Sequence, residues 1–188
     1  MTKVKTVLGK EISAEEIIAE KPDVVICATG VVPAPLKIEG IKQAISAKEV
    51  LDGAQTGSNV VIIGGGVTGC ETAELLAMSG KKVSIVELMD SLAEKMVTVN
   101  RVILISHLKH LKVDMHTGCA CQKISENNVI VKKKDKTEFT IPANTVILST
   151  GDKPNKSLYE SLINKVPELY NVGDSNMPDS IASSVHDG

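Results

Sequence analysis

The sequence predicts an α/β fold built around a parallel sheet, and three observations carry that prediction. Short β-rich runs alternate with helical patterns along most of the 188 residues, which indicates parallel strands joined by crossover helices. A glycine-rich turn at 64–69 stands between one such strand and a helix. A strand-and-turn sequence also occurs twice, as DVVICATGVVP at 23–33 and NTVILSTGDKP at 144–154.

The first fifty residues predict short elements. A strand is expected near 4–8, followed by two short helices that begin after Ser13 and Ser46. Each serine has a glutamate three residues later, and the two side chains of such a capping box satisfy each other's free backbone N–H groups. Between the helices, 24–28 is a continuous apolar run, typical of a strand covered on both faces.

From residue 59 onward the pattern becomes regular. The predicted elements are a strand at 60–63, a helix at 67–79, a strand at 82–86, a helix at 97–111, a strand at 113–116, an antiparallel hairpin or meander at 121–141, strands at 145–149 and 169–172, and a helix from about Ser180.

The two copies of the repeat bracket the glycine-turn region. Each has an apolar strand, Thr-Gly, and a proline three residues after the glycine. The simplest interpretation is a domain at about 52–150, inserted into another domain that the chain leaves after one copy and re-enters after the other. The alternative is that each copy is an ordinary strand-to-turn exit.

Charge and composition exclude some classes of function. A net charge of -2 gives no footprint for nucleic acid, because such surfaces need clustered Lys and Arg. The run at 132–134, KKK, is interpreted as the solvated tip of a hairpin, with phosphate binding as the alternative. No run of about eighteen apolar residues indicates a membrane span, and MTKVKTVLGKE lacks the apolar stretch of a signal peptide, so a cytoplasmic setting is expected.

The glycine turn has the full spacing of a dinucleotide site. Gly64 permits the tight turn, Gly66 lets the backbone approach a pyrophosphate, and Gly69 keeps the helix close to the sheet. The helix N-terminus directs free N–H groups at the phosphates. The residues predicted to hold the nucleotide here are Gly64, Gly65, Gly66, Val67, Thr68 and Gly69. The alternatives are a flavin or an S-adenosyl group in the same turn, or a tight turn without a ligand.

Glu87 ends the strand that follows the glycine-turn helix. A carboxylate at this position can accept hydrogen bonds from the adenosine ribose, whereas it would repel a 2′-phosphate. The next four residues, 88–91, offer no Arg or Lys to compensate that repulsion. The sequence therefore predicts NADH over NADPH.

The motifs together resemble a known group of flavoproteins. VVICATGVVP, GGGVTGCETA, VILSTGDKP, LYNVGDSN and SSVHDG, in that order, resemble two-dinucleotide-binding flavoprotein reductases. More narrowly, they resemble the reductase region of bacterial NADH:flavin oxidoreductases of the 2,4-dienoyl-CoA reductase, 2-enoate reductase and trimethylamine dehydrogenase group. In that group an NAD(P)H-binding domain interrupts an FAD-binding domain. The resemblance thus implies an NAD(P)H-binding domain at 52–150 and a partial FAD-binding domain at 1–51 and 151–188.

The resemblance also implies roles for residues outside the glycine turn. Those beside FAD would be Ala28, Thr29 and Gly30 after the first repeat strand, and Gly173 and Asp174, whose carboxylate would bind the ribityl chain, at the end of a strand carrying Tyr170. Thr150 and Gly151 would lie close to the nicotinamide and flavin rings, and 186–188, HDG, would match a helix near the flavin.

The chain departs from this group in lacking the glycine turn that holds the FAD pyrophosphate. It is therefore expected to be a fragment whose partners are the missing N-terminal FAD unit and a substrate domain with FMN and an iron–sulfur cluster. Hydride transfer from nicotinamide to flavin needs alignment rather than an acid or base, so no catalytic side chain is predicted. In the intact protein, hydride would pass from NADH to FAD and onward, for reduction of an enoate or enoyl double bond, while the isolated chain is expected to be inactive.

Two other functions remain as alternatives. The chain could be a non-catalytic dinucleotide-binding module. A thioredoxin-reductase-like dithiol reductase is disfavoured, because Cys119-Ala-Cys121 lacks the CxxC spacing and Cys27 and Cys70 are expected to be buried core residues. A metal site at His107, His110 and His116 is also disfavoured, because the helix has no carboxylate with ligand spacing.

Overall fold

The computed structural model describes residues 4–178 and 181–187. The chain forms two compact units. Unit 1 comprises the described residues of 1–33 and 152–188, and unit 2 comprises 34–151.

The elements follow one another in a regular order. The strands are β1 (Val24–Cys27), β2 (Val31–Pro33), β3 (Ile45–Ser46), β4 (Asn59–Ile63), β5 (Lys82–Val86), β6 (Asp114–His116), β7 (Cys119–Ser125), β8 (Asn128–Lys133), β9 (Glu138–Pro142), β10 (Thr145–Leu148), β11 (Asp152–Pro154) and β12 (Glu168–Asn171). The α-helices are α1 (Ala14–Ala19), α2 (Ala47–Leu51), α3 (Val67–Met78), α4 (Thr98–His110), α5 (Ser157–Leu162) and α6 (Ile181–Asp187).

Unit 2 is built on a five-stranded parallel sheet with the order β3-β10-β4-β5-β6. Its central strands are continuous apolar runs because both faces of the sheet are covered. One face packs against α3 and α4, where Ile62, Ile85 and Leu108 are fully buried. The other packs against the antiparallel meander β7-β8-β9. The predicted α/β fold with a parallel sheet and a meander is confirmed.

Unit 1 contains a two-stranded parallel sheet, β1-β12, and a short antiparallel pair, β2-β11. Helices α1 and α5 cover one face of β1-β12, burying Cys27 and Leu162. Val24, Ile26 and Tyr170 remain 45%, 65% and 52% exposed. The described residues therefore cover the first repeat strand on one face only, whereas the sequence predicts cover on both faces.

Three further expectations concern the first strand, the two capping boxes and the start of the last helix. Residues 4–8 do not form the predicted strand, and Val4, Val7 and Leu8 are exposed rather than paired in a sheet. Both capping boxes are present, with Ser13 and Ser46 each accepting from the backbone of the glutamate three residues later. Ser180, where the last helix was expected to begin, lies outside the described residues.

Unit 2 begins before the predicted domain start at 52, because two elements from 34–51 join its core. β3 extends the sheet by pairing with β10, and Ala47 and Val50 of α2 are buried against it. The assignment of the two units to different nucleotides stays a prediction.

Candidate functional site

The glycine turn lies at the carboxyl edge of the parallel sheet in unit 2, between β4 and α3. Gly64 has a φ of +105°, a backbone conformation that residues other than glycine rarely adopt. A Cβ there would lie 2.2 Å from the carbonyl oxygen of Ser149. Ser149 in turn donates its backbone N–H to Ile63 at 2.8 Å. The turn is therefore tight because the chain after β10 occupies the space beside it.

Gly69 and Gly66 differ in what surrounds them. A Cβ on Gly69 would lie 2.0 Å from the carbonyl oxygen of Gly64, so its absence lets the first turn of α3 pack on the glycine turn. A Cβ on Gly66 would meet no atom within 4 Å. The backbone at Gly66, which is also the N-cap of α3, thus borders open space into which the N–H groups that begin the helix, at 67–69, can project. This arrangement fits a bound phosphate.

The peptide groups of Gly65 are held on both sides. Its N–H donates to the Glu87 carboxylate at 2.6 Å, and its carbonyl accepts the N–H of Ala93 at 2.8 Å and the thiol of Cys70 at 3.4 Å. The second carboxylate oxygen of Glu87 accepts the N–H of Met89 at 2.7 Å. Each oxygen has further acceptor capacity, so the carboxylate can also accept ribose hydroxyls.

The loop at 92–93, next to this carboxylate, has no signature in the sequence. Arg101 on α4 donates from Nε to the carbonyl of Leu92 at 2.6 Å, and Leu92 is buried beside Gly65. Ala93 has a φ of +50° and closes the loop onto the glycine turn. No spacing motif links 92, 93 and 101, so only their contacts reveal this support.

Thr150 and Gly151, predicted to lie near the nicotinamide, follow β10, the neighbour of β4. Thr150 stands beside the glycine turn, since a Cβ on Gly64 would be 2.9 Å from its backbone nitrogen. Gly151 has a φ of +87° and its carbonyl accepts the N–H of Ala34. The structure therefore brings Thr150 to the same edge of the sheet as the glycine turn.

The residues predicted to bind FAD meet at one edge of the unit 1 sheet. Ala28, Thr29 and Gly30 follow β1, while Gly173 and Asp174 follow β12, and the two strands are parallel. Gly30 and Gly173 have φ values of +67° and +63°. The Asp174 carboxylate accepts the hydroxyl of Ser184 at 3.4 Å.

Other residues at that edge hold the two turns together. The N–H of Val172 donates to the carbonyl of Cys27 at 2.9 Å, and the Thr29 hydroxyl donates to Asn155 at 2.6 Å. Tyr170 donates to Glu168 from an exposed position. His186 lies on α6, whereas Gly188 lies outside the described residues.

The four cysteines are free thiols, of which Cys27, Cys70 and Cys119 are buried. Burial raises the pKa of the Cys121 thiol to about 11, and burial together with the nearby Glu87 raises that of Cys70 to about 11. His107 Nδ1 lies 2.8 Å from the Glu74 carboxylate. The described residues contain no group of three or more His, Cys, Asp or Glu side chains placed to hold a metal ion.

Among residues 4–178 and 181–187, no helix is both long and apolar enough to cross a membrane.

The fold and the two strand-edge sites define a class of protein. Residues 2–184 match the family described as pyridine nucleotide-disulphide oxidoreductase, and the chain belongs to that family. The parallel sheet of unit 2 and the glycine turn at its edge accord with membership of that family.

Two relatives and one solved structure are similar to nearly the whole of this chain. The chain is 32% identical over 188 residues to an NADH oxidase of Thermoanaerobacter brockii, covering 96% of this chain and 29% of that protein. It is 31% identical over 186 residues to a cinnamate reductase of Clostridium sporogenes, covering 97% of this chain and 28% of that protein. The solved structure of a 2-naphthoyl-CoA reductase matches 96% of this chain and 28% of its own chain, with a TM-score of 0.86 and 29% identity. The chain therefore spans less than a third of the length of these relatives.

Proposed function

We propose that unit 2 binds NADH at the glycine turn and that unit 1 contributes to an FAD site, so that the intact protein passes hydride from NADH to FAD. The observation that carries the NADH site is the open space at Gly66, where α3 begins, next to Gly65, whose N–H donates to the carboxylate of Glu87. When both nucleotides are bound, the chemistry is hydride transfer, and the protein supplies alignment rather than an acid or base.

The residues of the glycine turn divide this work among them. The N–H groups at 67–69 and the backbone at Gly66 bind the pyrophosphate, where the partial positive charge of the helix start favours an anion. Glu87 is fixed by its bonds to Gly65 and Met89, so its carboxylate faces the ribose without a further ordering cost. Thr150 and Gly151 border the nicotinamide end.

The proposed FAD contacts come from the edge of the β1-β12 sheet. Gly30 can accept close approach of a ligand, because a Cβ there would meet no atom within 4 Å. Ala28 and Thr29 adjoin it, and the Gly173-Asp174 turn lies at the end of the neighbouring strand. The Asp174 carboxylate binds a hydroxyl of the ribityl chain.

The rest of the parent protein completes the FAD domain and carries the substrate site. Support comes from the length of the relatives and from the exposed sheet face formed by Val24, Ile26 and Tyr170, since a parallel sheet is ordinarily covered on both faces. The name of the cinnamate reductase favours an enoate or enoyl substrate, because cinnamate carries a double bond conjugated with its carboxylate. An FMN and an iron–sulfur cluster belong to that substrate domain, and the setting is cytoplasmic.

Titration of the chain with NADH, FAD and S-adenosyl-methionine tests this proposal. The expected result is saturable NADH binding, with no binding of S-adenosyl-methionine at the same concentrations. NADH binding without any FAD binding by the longer parent protein would instead support a non-catalytic docking module. Preferential binding of S-adenosyl-methionine would overturn the oxidoreductase function.

A further inference from the structure

A lysine distant in sequence lies against the loop that follows Glu87. Lys134, the first residue of the β8–β9 turn, places Nζ 2.5 Å from the Asp90 carboxylate. Asp90 comes three residues after Glu87, at the edge of the sheet where the adenosine ribose is expected. Residues 88–91 contain no Lys or Arg, and the cation beside Asp90 comes from another element, 44 residues away in sequence.

Backbone pairing joins the two parts of the chain. Cys119 donates its N–H to the carbonyl of Glu87, and Gly118 donates to that of Met89, each at 2.8 Å. Cys119 is also paired across the meander with Lys133. Lys134 therefore directly follows the strand partner of Cys119, the residue whose N–H donates to the carbonyl of Glu87.

The neighbouring lysines of the run have other contacts. Lys132 pairs with Glu138, and Lys133 lies 5.6 Å from the ring centre of Phe139. Lys134 and Asp90 form an exposed pair, with side chains 62% and 78% exposed. Such an exposed pair adds little to stability, so either side chain can be replaced with little effect on folding.

We propose that Lys134 is a specificity-determining residue for the nicotinamide nucleotide, and that Asp90 controls it. With Asp90 present, the ammonium is neutralised, and Glu87 and Asp90 together repel the 2′-phosphate of NADPH. With Asp90 neutral, Lys134 is free to bind that phosphate as a point charge. This inference rests on the proposed function, since it requires the nucleotide to bind at the glycine turn.

The test measures dissociation constants of NADH and NADPH from the fluorescence of the reduced nicotinamide. The background is Glu87→Gln, which keeps the size of the side chain and removes its charge. In that background Asp90→Asn should tighten NADPH binding about tenfold, and adding Lys134→Met should cancel the gain. Both changes should alter NADH binding less than about twofold.

A matched control uses Lys132→Met in place of Lys134→Met, because both lysines lie at the same end of the meander and both form exposed ion pairs. The control should leave the NADPH gain intact, and the gain should shrink as salt concentration rises. Repeating the series with Glu87→Ser guards against a background variant that does not fold, as judged by circular dichroism.

The outcomes separate this inference from the proposed function. If NADH binds but the NADPH gain is missing, or survives Lys134→Met, the role of Lys134 is overturned while the nucleotide site stands. If the folded wild-type chain binds neither nucleotide, the proposed function fails and this inference fails with it.

Discussion

Replacing Gly66 with alanine separates nucleotide binding from folding. A Cβ at this position meets no protein atom within 4 Å, and the φ of -66° suits any residue. The folded chain should therefore tolerate the methyl group. The bound pyrophosphate should not, because the open space at Gly66 is where it would approach the backbone.

The two effects have opposite signs. Removing conformational freedom from the unfolded chain should stabilise unit 2 by about 0.4–1 kcal/mol. Displacing the phosphate from the backbone should weaken at least one charge-assisted hydrogen bond, worth about 2 kcal/mol. That loss corresponds to a roughly thirtyfold rise in the dissociation constant of NADH.

Gly69→Ala is the matched control within the same turn. Its Cβ would lie 2.0 Å from the Gly64 carbonyl oxygen, far inside the 3.4 Å at which ordinary contact begins. The overpacked methyl group should cost about 3 kcal/mol, and the higher helix propensity of alanine should offset about 1 kcal/mol of that cost. The unfolding free energy should therefore fall by about 2 kcal/mol.

Urea unfolding and NADH titration of the two variants measure these effects. Gly66→Ala should unfold at the same or a higher urea concentration than wild type and bind NADH weakly, whereas Gly69→Ala should unfold earlier. Wild-type NADH affinity in a stable Gly66→Ala protein would refute the assignment of this turn to the pyrophosphate.

Three further outcomes are expected. Cys70 and Cys121 should react slowly with iodoacetamide at pH 8, because a raised pKa of about 11 keeps both thiols protonated. Mass spectrometry compares their rates in the folded chain with those in the urea-unfolded chain, and equal rates would contradict their burial. Burial lowers the pKa of His116, so the unfolded state binds more protons near its ordinary pKa; stability should fall as pH decreases from 7 to 5, and a His116→Gln variant with an unchanged slope would exclude this cause. Ser46→Ala should cost about 1 kcal/mol in the unfolding free energy, read from urea curves, because it removes the α2 capping bond; Ser125→Ala, outside any cap, serves as the comparison.

Much of unit 2 could be predicted from sequence because its signals are local. The apolar runs of β4 and β5, the glycine spacing and the 12-residue helix α3 each occupy a short window. The repeated Thr-Gly strands were also visible, since each copy ends a parallel strand. The strand predicted at 4–8 is not formed. Its apolar residues indicate that a strand is possible, but they do not show whether a sheet edge is available to pair with it.

The sequence alone determined the sheet, the helix start and the glycines that permit a pyrophosphate, because backbone conformation and helix polarity are properties of neighbouring residues. Tertiary structure decided what surrounds Glu87, which we propose binds the ribose. Glu87 is oriented by Gly65 and Met89, its loop is anchored by Arg101, and Lys134 reaches Asp90 from the far end of the meander. These contacts join residues up to 44 positions apart, and the charge around a ligand depends on distance in space rather than along the chain.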